Sequence, residues 1–398
     1  MRVWYFSEMA YHPAWDEGLK RGSLRVVLPN GEVDPHVAHR LLNRYLDEFA
    51  YCDEAGLDIM VNEHHSTATC MTVSVPMALA IIARETKKAR LLSLGNPIAN
   101  RPDPVRVAEE MAWLDVLSGG RLEMGLVKGA PYEIHPANSN PARLMRRYWE
   151  AHDLILKALS TTEGPFSWEG EYYHYRAVNI WPRPIQQPTP PVWMTGLSID
   201  SGLMAAERGH VIATLLSGSV AKPMFDAYRK RAAEIGRPAG PDRFAYAACI
   251  GVGSTREEGL RRAHLIADYV RTAPVVYEPF TNPPGYNSVN ANVAMLKAGP
   301  AGRSFVKDRK GNAVDHRTAT VEQFMETDTV FAGTPDDVYQ QIKSLNDRIG
   351  GFGHLLFFGQ GGHLDHKDTM DNIRMFASEV MPRLKGLNAG ARQQTAAE

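Results

Sequence analysis

The sequence predicts an α/β fold, a (β/α)8 TIM barrel carrying insertion segments, and three observations predict it. Short apolar, β-rich runs alternate with longer stretches of helical period almost to the C-terminus. Eight such runs are present, whereas a doubly wound sheet usually stops at about five or six strands. No Pro/Gly/Ser linker divides the 398 residues, so one domain over residues 1–385 is the economical reading.

The strand runs are Arg2–Phe6, Asp58–Asn62, Arg90–Gly95, Arg121–Val127, Pro191–Thr195, Val211–Leu215, Phe244–Val252 and His354–Phe358. Between the first two, His36–Gly56 places Val37, Leu41, Tyr45, Phe49 and Cys52 on one stripe and ends at a Gly suited to a C-cap. Pro76–Arg84 is nearly all apolar, and Pro104–Leu117 carries an acidic first half. Thr334-Pro335-Asp336-Asp337 reads as an N-cap, a Pro at the first helical position and two carboxylates on the positive helix end. Two stretches break the alternation and read as insertions. Residues 161–190 are aromatic and Pro-rich, and residues 272–320 contain TNPPGYNSVNAN and GPAGRSFVKDRKGN. Segments that long inside a compact domain are usually lids or disordered. Residues 386–398 read as a disordered tail.

Charge narrows the partner class. With 44 Lys+Arg against 45 Asp+Glu there is no electrostatic footprint for a polyanion, so nucleic acid and an acidic membrane surface are not expected and a small molecule is. Cys52, Cys70 and Cys249 are far apart with no metal-ligand spacing, so no metal site is expected and they read as small buried hydrophobes in a reduced compartment. No signal-peptide pattern opens the chain and no long uncharged apolar run follows, which places the protein in the cytoplasm as an expectation.

In a barrel of this kind the active site lies at the C-terminal ends of the strands. After the second strand comes Asn62-Glu63-His64-His65. Neighbours on extended chain point to opposite faces, so His64 and His65 cannot easily share a metal ion. One imidazole facing the pocket as acid, base or anion stabiliser, oriented by a neighbour such as Glu63, is the functional reading; a hydrogen-bonded structural network is the alternative. After the third strand comes Gly95-Asn96-Pro97, where Gly permits close backbone approach to a flat ring or simply breaks the strand. After the fifth, Thr195-Gly196-Leu197-Ser198 leads through Ser201 into a helix and resembles a phosphate cradle. A plain turn with Ser198 as N-cap would look the same. Lys128, just beyond the fourth strand, is a cation placed to reach such a phosphate. Neither GxGxxG nor GxxxxGK[ST] occurs, which disfavours a dinucleotide fold or an ATPase.

Taken in order, NEHHS, ARLLSLGNPIANRPDPVRVAEEMAWLDVLSGGRLEMGLVKG and PVWMTGLSIDSGLMAAERG resemble the bacterial luciferase-like flavin-dependent monooxygenase family. The resemblance runs from about Arg2 to Leu216 and returns in FAGTPDDVYQQI and GGFGHLLFFG, with DPVRVAEE and LSGGRLEMG its most specific parts. It implies FMN at the C-terminal ends of the strands. Carried over residue by residue, Glu63 and His64 match the family's Glu-His pair beside the reacting edge of the flavin. Gly95 and Asn96 match the site of a non-prolyl cis peptide against the flavin ring, and Lys128, Leu197 (through its N–H), Ser198 and Ser201, with Gly196 in the same turn, match the phosphate contacts. Val127 stands where the light-emitting members carry Cys, which argues against luminescence.

The mechanism so implied is an FMN-dependent monooxygenase: reduced FMN from a separate flavin reductase reacts with oxygen, and a flavin hydroperoxide oxygenates a small organic substrate. The aromatic stretch Phe166–Trp181 and the 272–320 segment are the expected lids. Trp4, Phe6, Met9, Trp193, Tyr286 and the Phe357-Phe358 pair are the expected walls of a mostly apolar pocket. A homodimer through helices near residues 76–117 is expected from the family's habit. The runner-up is a deazaflavin-dependent, hydride-transferring oxidoreductase of the same superfamily. A non-catalytic flavin-binding or light-emission subunit would need a degenerate pocket, against which Glu63, His64, Lys128 and Ser198 speak.

Overall fold

The computed structural model describes residues 1–215, 218–287, 289, 292–293, 296–297 and 306–388. In chain order the strands are β1 (Arg2–Ser7), β2 (Asp58–Val61), β3 (Leu91–Pro97), β4 (Leu122–Val127), β5 (Phe166–Glu169), β6 (His174–Val178), β7 (Val192–Thr195), β8 (Val211–Leu215), β9 (Phe244–Val252), β10 (Val330–Gly333) and β11 (His354–Gln360). Eight of them close a parallel barrel in the order β1-β2-β3-β4-β7-β8-β9-β11, with β11 pairing back onto β1. Every strand run expected from the sequence is a strand of this barrel, with ends shifted by up to two residues.

The extra strand β10 extends the wall. Cys249 of β9 lies opposite Phe358 of β11 on one side and Val330 of β10 on the other, so β10 takes over where β8 ends opposite Ala247. Its four residues, Val-Phe-Ala-Gly, hold a single β-branched side chain and run straight into a helix cap, so they did not stand out as a separate run.

Alternation along the strands sorts the large side chains. Trp4, Phe6, Leu92, Leu94, Trp193, Ala245, Ala247, Leu356 and Phe358 share the interior cluster, while Tyr5 and Phe357 belong with the surrounding helices. Trp4 and Trp193, both 0% exposed, meet edge to face at 5.5 Å. Trp4 Nε1 donates to His354 Nδ1 at 3.1 Å and Trp193 Nε1 to Glu123 Oε2 at 2.6 Å, near the start of the strands. These two tryptophans therefore fill the barrel floor and do not wall a pocket at the mouth. Phe357 turns outward onto Phe376, with ring centroids 4.5 Å apart, and also leaves the expected pocket wall. The period of two decides this, because consecutive strand residues cannot both face inward.

The helices start and stop as their caps dictate. Pro35–Ala55 opens on the Asp34 side chain and closes at Gly56, whose φ of 80° is left-handed. Val75–Glu85 and Pro104–Ser118 are capped by Ser74 and Asp103, and Thr334 with Asp337 forms the capping box of Pro335–Arg348. The helix Arg256–Thr272 has a second task. Its Ala263, Ile266, Ala267 and Val270 join the interior cluster, and a Cβ on Gly251 of β9 would stand 2.5 Å from Ala263 N. This helix thus packs over the inner face of the far half of β9. Among the described residues no helix is long and apolar enough to cross a membrane.

The insertion at residues 161–190 contains the antiparallel hairpin β5–β6. Glu150 of the helix Leu144–Ser160 accepts from the backbone N–H groups of Glu171, Tyr172 and Tyr173 and from Trp168 Nε1, at 2.9–3.2 Å. The hairpin is therefore fastened to an outer helix, unlike the lid expected over Phe166–Trp181. The described part of the second insertion does reach the mouth. Phe280 packs on His135 at 4.6 Å, and the Tyr286 hydroxyl donates to Gly129 O at 2.7 Å. At the C-terminus the start of the expected tail is packed: Asn388 is buried and its Nδ2 donates to Phe352 O at 2.6 Å. Residues 389–398 of that expected tail lie outside the described residues.

Candidate active site

The end of β2 splits its residues between two tasks. Glu63 is 3% exposed, takes both of its carboxylate oxygens to Arg101 at 2.8 and 2.7 Å, and also accepts from Val75 N at 2.9 Å. His65 Nε2 lies 2.9 Å from Glu63 Oε1. His64 points elsewhere: its Nδ1 is 2.8 Å from Glu133 Oε1, and its side chain keeps 23% exposure. The residue that orients His64 is thus Glu133, in the loop after β4, and not Glu63. Extended backbone sends neighbours to opposite sides, so His64 could not share the partner of its neighbour.

Glu133 is built to hold that position. It is 1% exposed, accepts from Ala130 N at 2.7 Å through Oε2, and its Oε1 takes the Tyr132 hydroxyl at 3.4 Å. Burial opposes a charged His64, but the Glu133 carboxylate beside it outweighs burial and raises the imidazole pKa above its ordinary value. Burial likewise opposes the Glu133 charge, and His64 with the Ala130 N–H brings its carboxyl below the usual range.

Next to this pair the end of β3 carries the cis peptide Leu94–Gly95. A Cβ on Gly95 would stand 2.3 Å from Val127 Cγ1, so no other residue fits there without displacing Val127. Asn96 is fully buried, and neither its Nδ2 nor its Oδ1 has a partner among the described residues. The amide of Asn100 is in the same condition. A Cβ on Gly129 would meet Asn100 Nδ2 at 2.7 Å and Glu133 Oε2 at 3.3 Å, which sets Asn100 beside the His64–Glu133 pair. Leaving a buried amide unpaired costs about 1–3 kcal/mol, so two such side chains at the end of β3 call for an outside ligand. A flat ring with donors and acceptors along its edge, such as the isoalloxazine of FMN, fits that donor set.

The phosphate residues fall into two groups. Ser198 caps the helix Ile199–Arg208: its Oγ accepts from Ser201 N at 3.2 Å and lies 2.8 Å from Ser201 Oγ. Gly196 is needed there, because a Cβ would stand 2.4 Å from Ser201 Cβ. Leu197 is 56% exposed and its backbone is part of the same turn. Lys128 is engaged on another side. Its Nζ sits 3.5 Å from the centroid of the Tyr286 ring and donates to Tyr286 O at 3.4 Å, and burial pushes its pKa down to about 8. A cavity of about 330 Å³ at the turn is lined by Leu197, Ser198, Ser219 and Lys307. The cation in that cavity is therefore Lys307, from the second insertion.

A larger cavity, about 550 Å³, borders the helix Arg256–Thr272 at Arg261, His264 and Arg271 and holds none of these residues. Glu133, Asn100, Arg101 and Lys307 escaped the sequence reading. Glu133 and Asn100 follow β4 and β3 by a few residues and carried the strand-end signal, whereas nothing in the pattern around Lys307 singled it out from other surface lysines.

Known proteins match this chain, some along most of its length and others along less than half of it. The 4-hydroxyprotoasukamycin monooxygenase of Streptomyces nodosus subsp. asukaensis is 24% identical over 357 residues, 87% of this chain and 86% of that protein. The oxygenase component of the flavin-dependent trigonelline monooxygenase of Acinetobacter baylyi is 26% identical over 181 residues, 44% of this chain, and the chain spans about half of its length (49%). Among solved structures, the FMN complex of the oxygenating constituent of 3,6-diketocamphane monooxygenase from Pseudomonas putida superimposes with a TM-score of 0.67 at 19% identity, covering 96% of this chain and 98% of that one. An F420-dependent secondary alcohol dehydrogenase superimposes with a TM-score of 0.63 at 14% identity, over 85% of this chain and 94% of that one. A profile of the luciferase-like monooxygenase family matches residues 25–350, and the chain belongs to that family.

Proposed function

We propose that the protein is an FMN-dependent monooxygenase that takes reduced flavin and molecular oxygen and oxygenates a small organic molecule. The observation that carries this reading is the pair of unpartnered amides, Asn96 and Asn100, beside Gly95 and next to a histidine held by a buried carboxylate. Asn96 and Asn100 would meet the edge of the flavin ring, and Gly196, Leu197, Ser198 and Ser201 its phosphate, with Lys307 as the cation lining the cavity at that turn and Lys128 held at Tyr286. Reduced FMN, when bound, supplies the electrons that activate oxygen.

The chain's own residues then have separate tasks. Glu133 fixes Nδ1 of His64, which leaves Nε2 to hold or release a proton at the mouth. Glu63 ties the end of β2 to Arg101 and to the start of the helix Val75–Glu85. Tyr286 straps the second insertion across the end of β4, a position from which it limits entry of water.

A relative described as an oxygenase component supports a two-component arrangement, with a separate flavin reductase delivering reduced FMN. A homodimer is supported by the exposure of Met77, Ile81, Trp113 and Val116 on the helices Val75–Glu85 and Pro104–Ser118, which pack against each other. The neighbouring Leu79, Val107, Met111 and Leu114 are core.

A second reading, hydride transfer with the deazaflavin coenzyme F420, is favoured by the likeness to the F420-dependent dehydrogenase. Titration of the protein with FMN and with F420, followed by oxygen consumption with each in its reduced form, separates the two. Tighter binding of FMN, and oxygen uptake coupled to product, is the expected result. Preference for F420 without oxygen uptake would overturn the monooxygenase reading.

A further inference from the structure

Two arginines among the described residues are exposed by less than a tenth, Arg25 at 7% and Arg262 at 1%. They differ in what their guanidinium groups hold. Arg262 is filled: Nε donates to Asp368 Oδ1 at 3.2 Å, Nη1 to Val252 O at 2.6 Å and Nη2 to Glu258 Oε1 at 2.7 Å. Arg25 uses only Nε, which donates to Ala273 O at 2.8 Å. Its two terminal nitrogens have no partner among the described residues.

The surroundings do not supply one. The nearby carboxylates favour its charge from a distance but accept no hydrogen bond from it: Glu8 accepts from Asn62 Nδ2 at 2.7 Å, and Glu133 is held by His64 and the Ala130 N–H. The guanidinium lies over the Tyr132 ring at 4.4 Å, and that same ring is 6.0 Å from the imidazole of His64. The backbone of Arg25 bridges that of Thr67, in the loop that continues from His64 and His65. Arg25 is thus a buried cation with an open fork, one aromatic ring away from the histidine that the proposed reaction uses.

Against its burial, Tyr132, Tyr269, Glu8 and Glu133 favour the guanidinium charge, yet among the described residues none of them accepts from the terminal N–H groups, which stay open to an incoming acceptor. The two terminal N–H groups match the two oxygens of a carboxylate, the pairing for which arginine is better shaped than lysine. We propose that Arg25 anchors a carboxylate of the substrate, so that the substrate class is a small, otherwise apolar carboxylic acid whose remaining part extends towards His64. This rests on the reading of the mouth as the oxygenation site. An acid is then recognised at Arg25 and a neutral analogue leaves the fork unpaired, which discriminates strongly against it.

The test uses the purified protein saturated with oxidised FMN. A panel of matched carboxylic acids and primary carboxamides of about six to twelve non-hydrogen atoms is screened by thermal shift, and the best acid and its amide are titrated by calorimetry. The acid is expected to bind at least tenfold more tightly than the amide. In Arg25→Gln the acid should lose at least tenfold while affinity for the amide and for FMN stays within twofold. Arg25→Lys, which keeps the charge and loses the fork, should fall between them. Acids and amides that bind alike to the wild type, or an acid preference that survives in Arg25→Gln, would overturn the assignment. If Arg25→Gln does not fold, the wild-type comparison and Arg25→Lys decide. Failure of the wild type to bind FMN would instead sink the flavin reading, so the two failures are distinct.

Discussion

Nδ1 of His64 and Oε1 of Glu133 lie 2.8 Å apart, joining the end of β2 to the loop after β4 across 69 positions of sequence. The carboxylate raises the imidazole pKa against the effect of burial, so removing its charge must lower that pKa. In Glu133→Gln we expect the His64 pKa to fall, because burial then acts without the opposing carboxylate. The limb of the pH–rate profile that depends on charged His64 should move to lower pH with it. NMR titration of the imidazole proton checks this, and an unchanged or raised pKa contradicts it.

Glu63 and His64 are adjacent yet should behave oppositely. Glu63 is buried and paired with Arg101, whose side chain is about a quarter exposed (27%). Glu63→Gln is therefore expected to cost about 2 kcal/mol of stability, below the figure for a fully buried pair, while product formed per oxygen consumed changes little. His64→Asn should leave stability within about 1 kcal/mol and lower that coupling. Urea unfolding with a coupling assay separates the two; equal loss of coupling in both variants would mean that Glu63 takes part in the chemistry.

The orphaned amides predict a trade of stability against binding. Asn96 is fully buried with both polar atoms unpaired, so Asn96→Ala removes a penalty of about 1–3 kcal/mol and leaves a small void in its place. The flavin-free variant should melt at or above the wild-type temperature. Its affinity for FMN should fall at least tenfold, read by equilibrium dialysis. A variant that melts lower and binds FMN normally would show that Asn96 serves the fold.

Gly95 tests the close approach. Gly95→Ala places a Cβ 2.3 Å from Val127 Cγ1, and overpacking of this kind costs about 1–3 kcal/mol. Val127→Ala in the same chain removes the atoms that clash and should recover most of that loss. Melting temperatures of the two single variants and the double variant form the cycle. Additive losses would contradict the contact.

A second histidine pair sets the acid limit of the fold. His152 and His210 face each other through Nε2 at 2.8 Å, both buried, and His152 Nδ1 lies 2.8 Å from Asp153 Oδ1. Burial, with His152 adding to it, pushes His210 down to about 3. Its folded pKa is below the unfolded value, so the unfolded chain takes the proton first. Its contribution is whole above about pH 6.5 and is lost as pH falls towards 3. Within that window the slope approaches about 1.4 kcal/mol per pH unit for such a group. Urea unfolding at pH 7.5 and pH 5.5 should show a smaller difference for His210→Gln than for the wild type, and parallel behaviour would contradict the assignment.

The barrel was legible because its signals are local. The Tyr45–Phe49–Cys52 stripe, Gly56 as a C-cap and the run Phe244–Val252 each report their element from a few neighbouring residues, since helix and strand periods are set by the backbone. The strand Val330–Gly333 has a single β-branched residue and ends in Ala-Gly, and the hairpin strands Phe166–Glu169 and His174–Val178 are largely polar, so none carried the apolar, β-rich signal of the barrel strands.

The site was half legible for a related reason. That His64, Asn96, Lys128 and Ser198 stand at strand ends follows from their place after apolar runs. Which atoms meet there does not. Glu133 reaches His64, Tyr286 covers Lys128, Lys307 enters the cavity at Ser198, and Trp4 with Trp193 fills the floor, each through contacts between residues far apart in the chain. The sequence by itself determined the strands, helices and turns, because those depend on neighbours along the chain. Only the tertiary structure decided the partners, because closing the barrel brings its strand ends together in space and charge, burial and hydrogen bonding act through space.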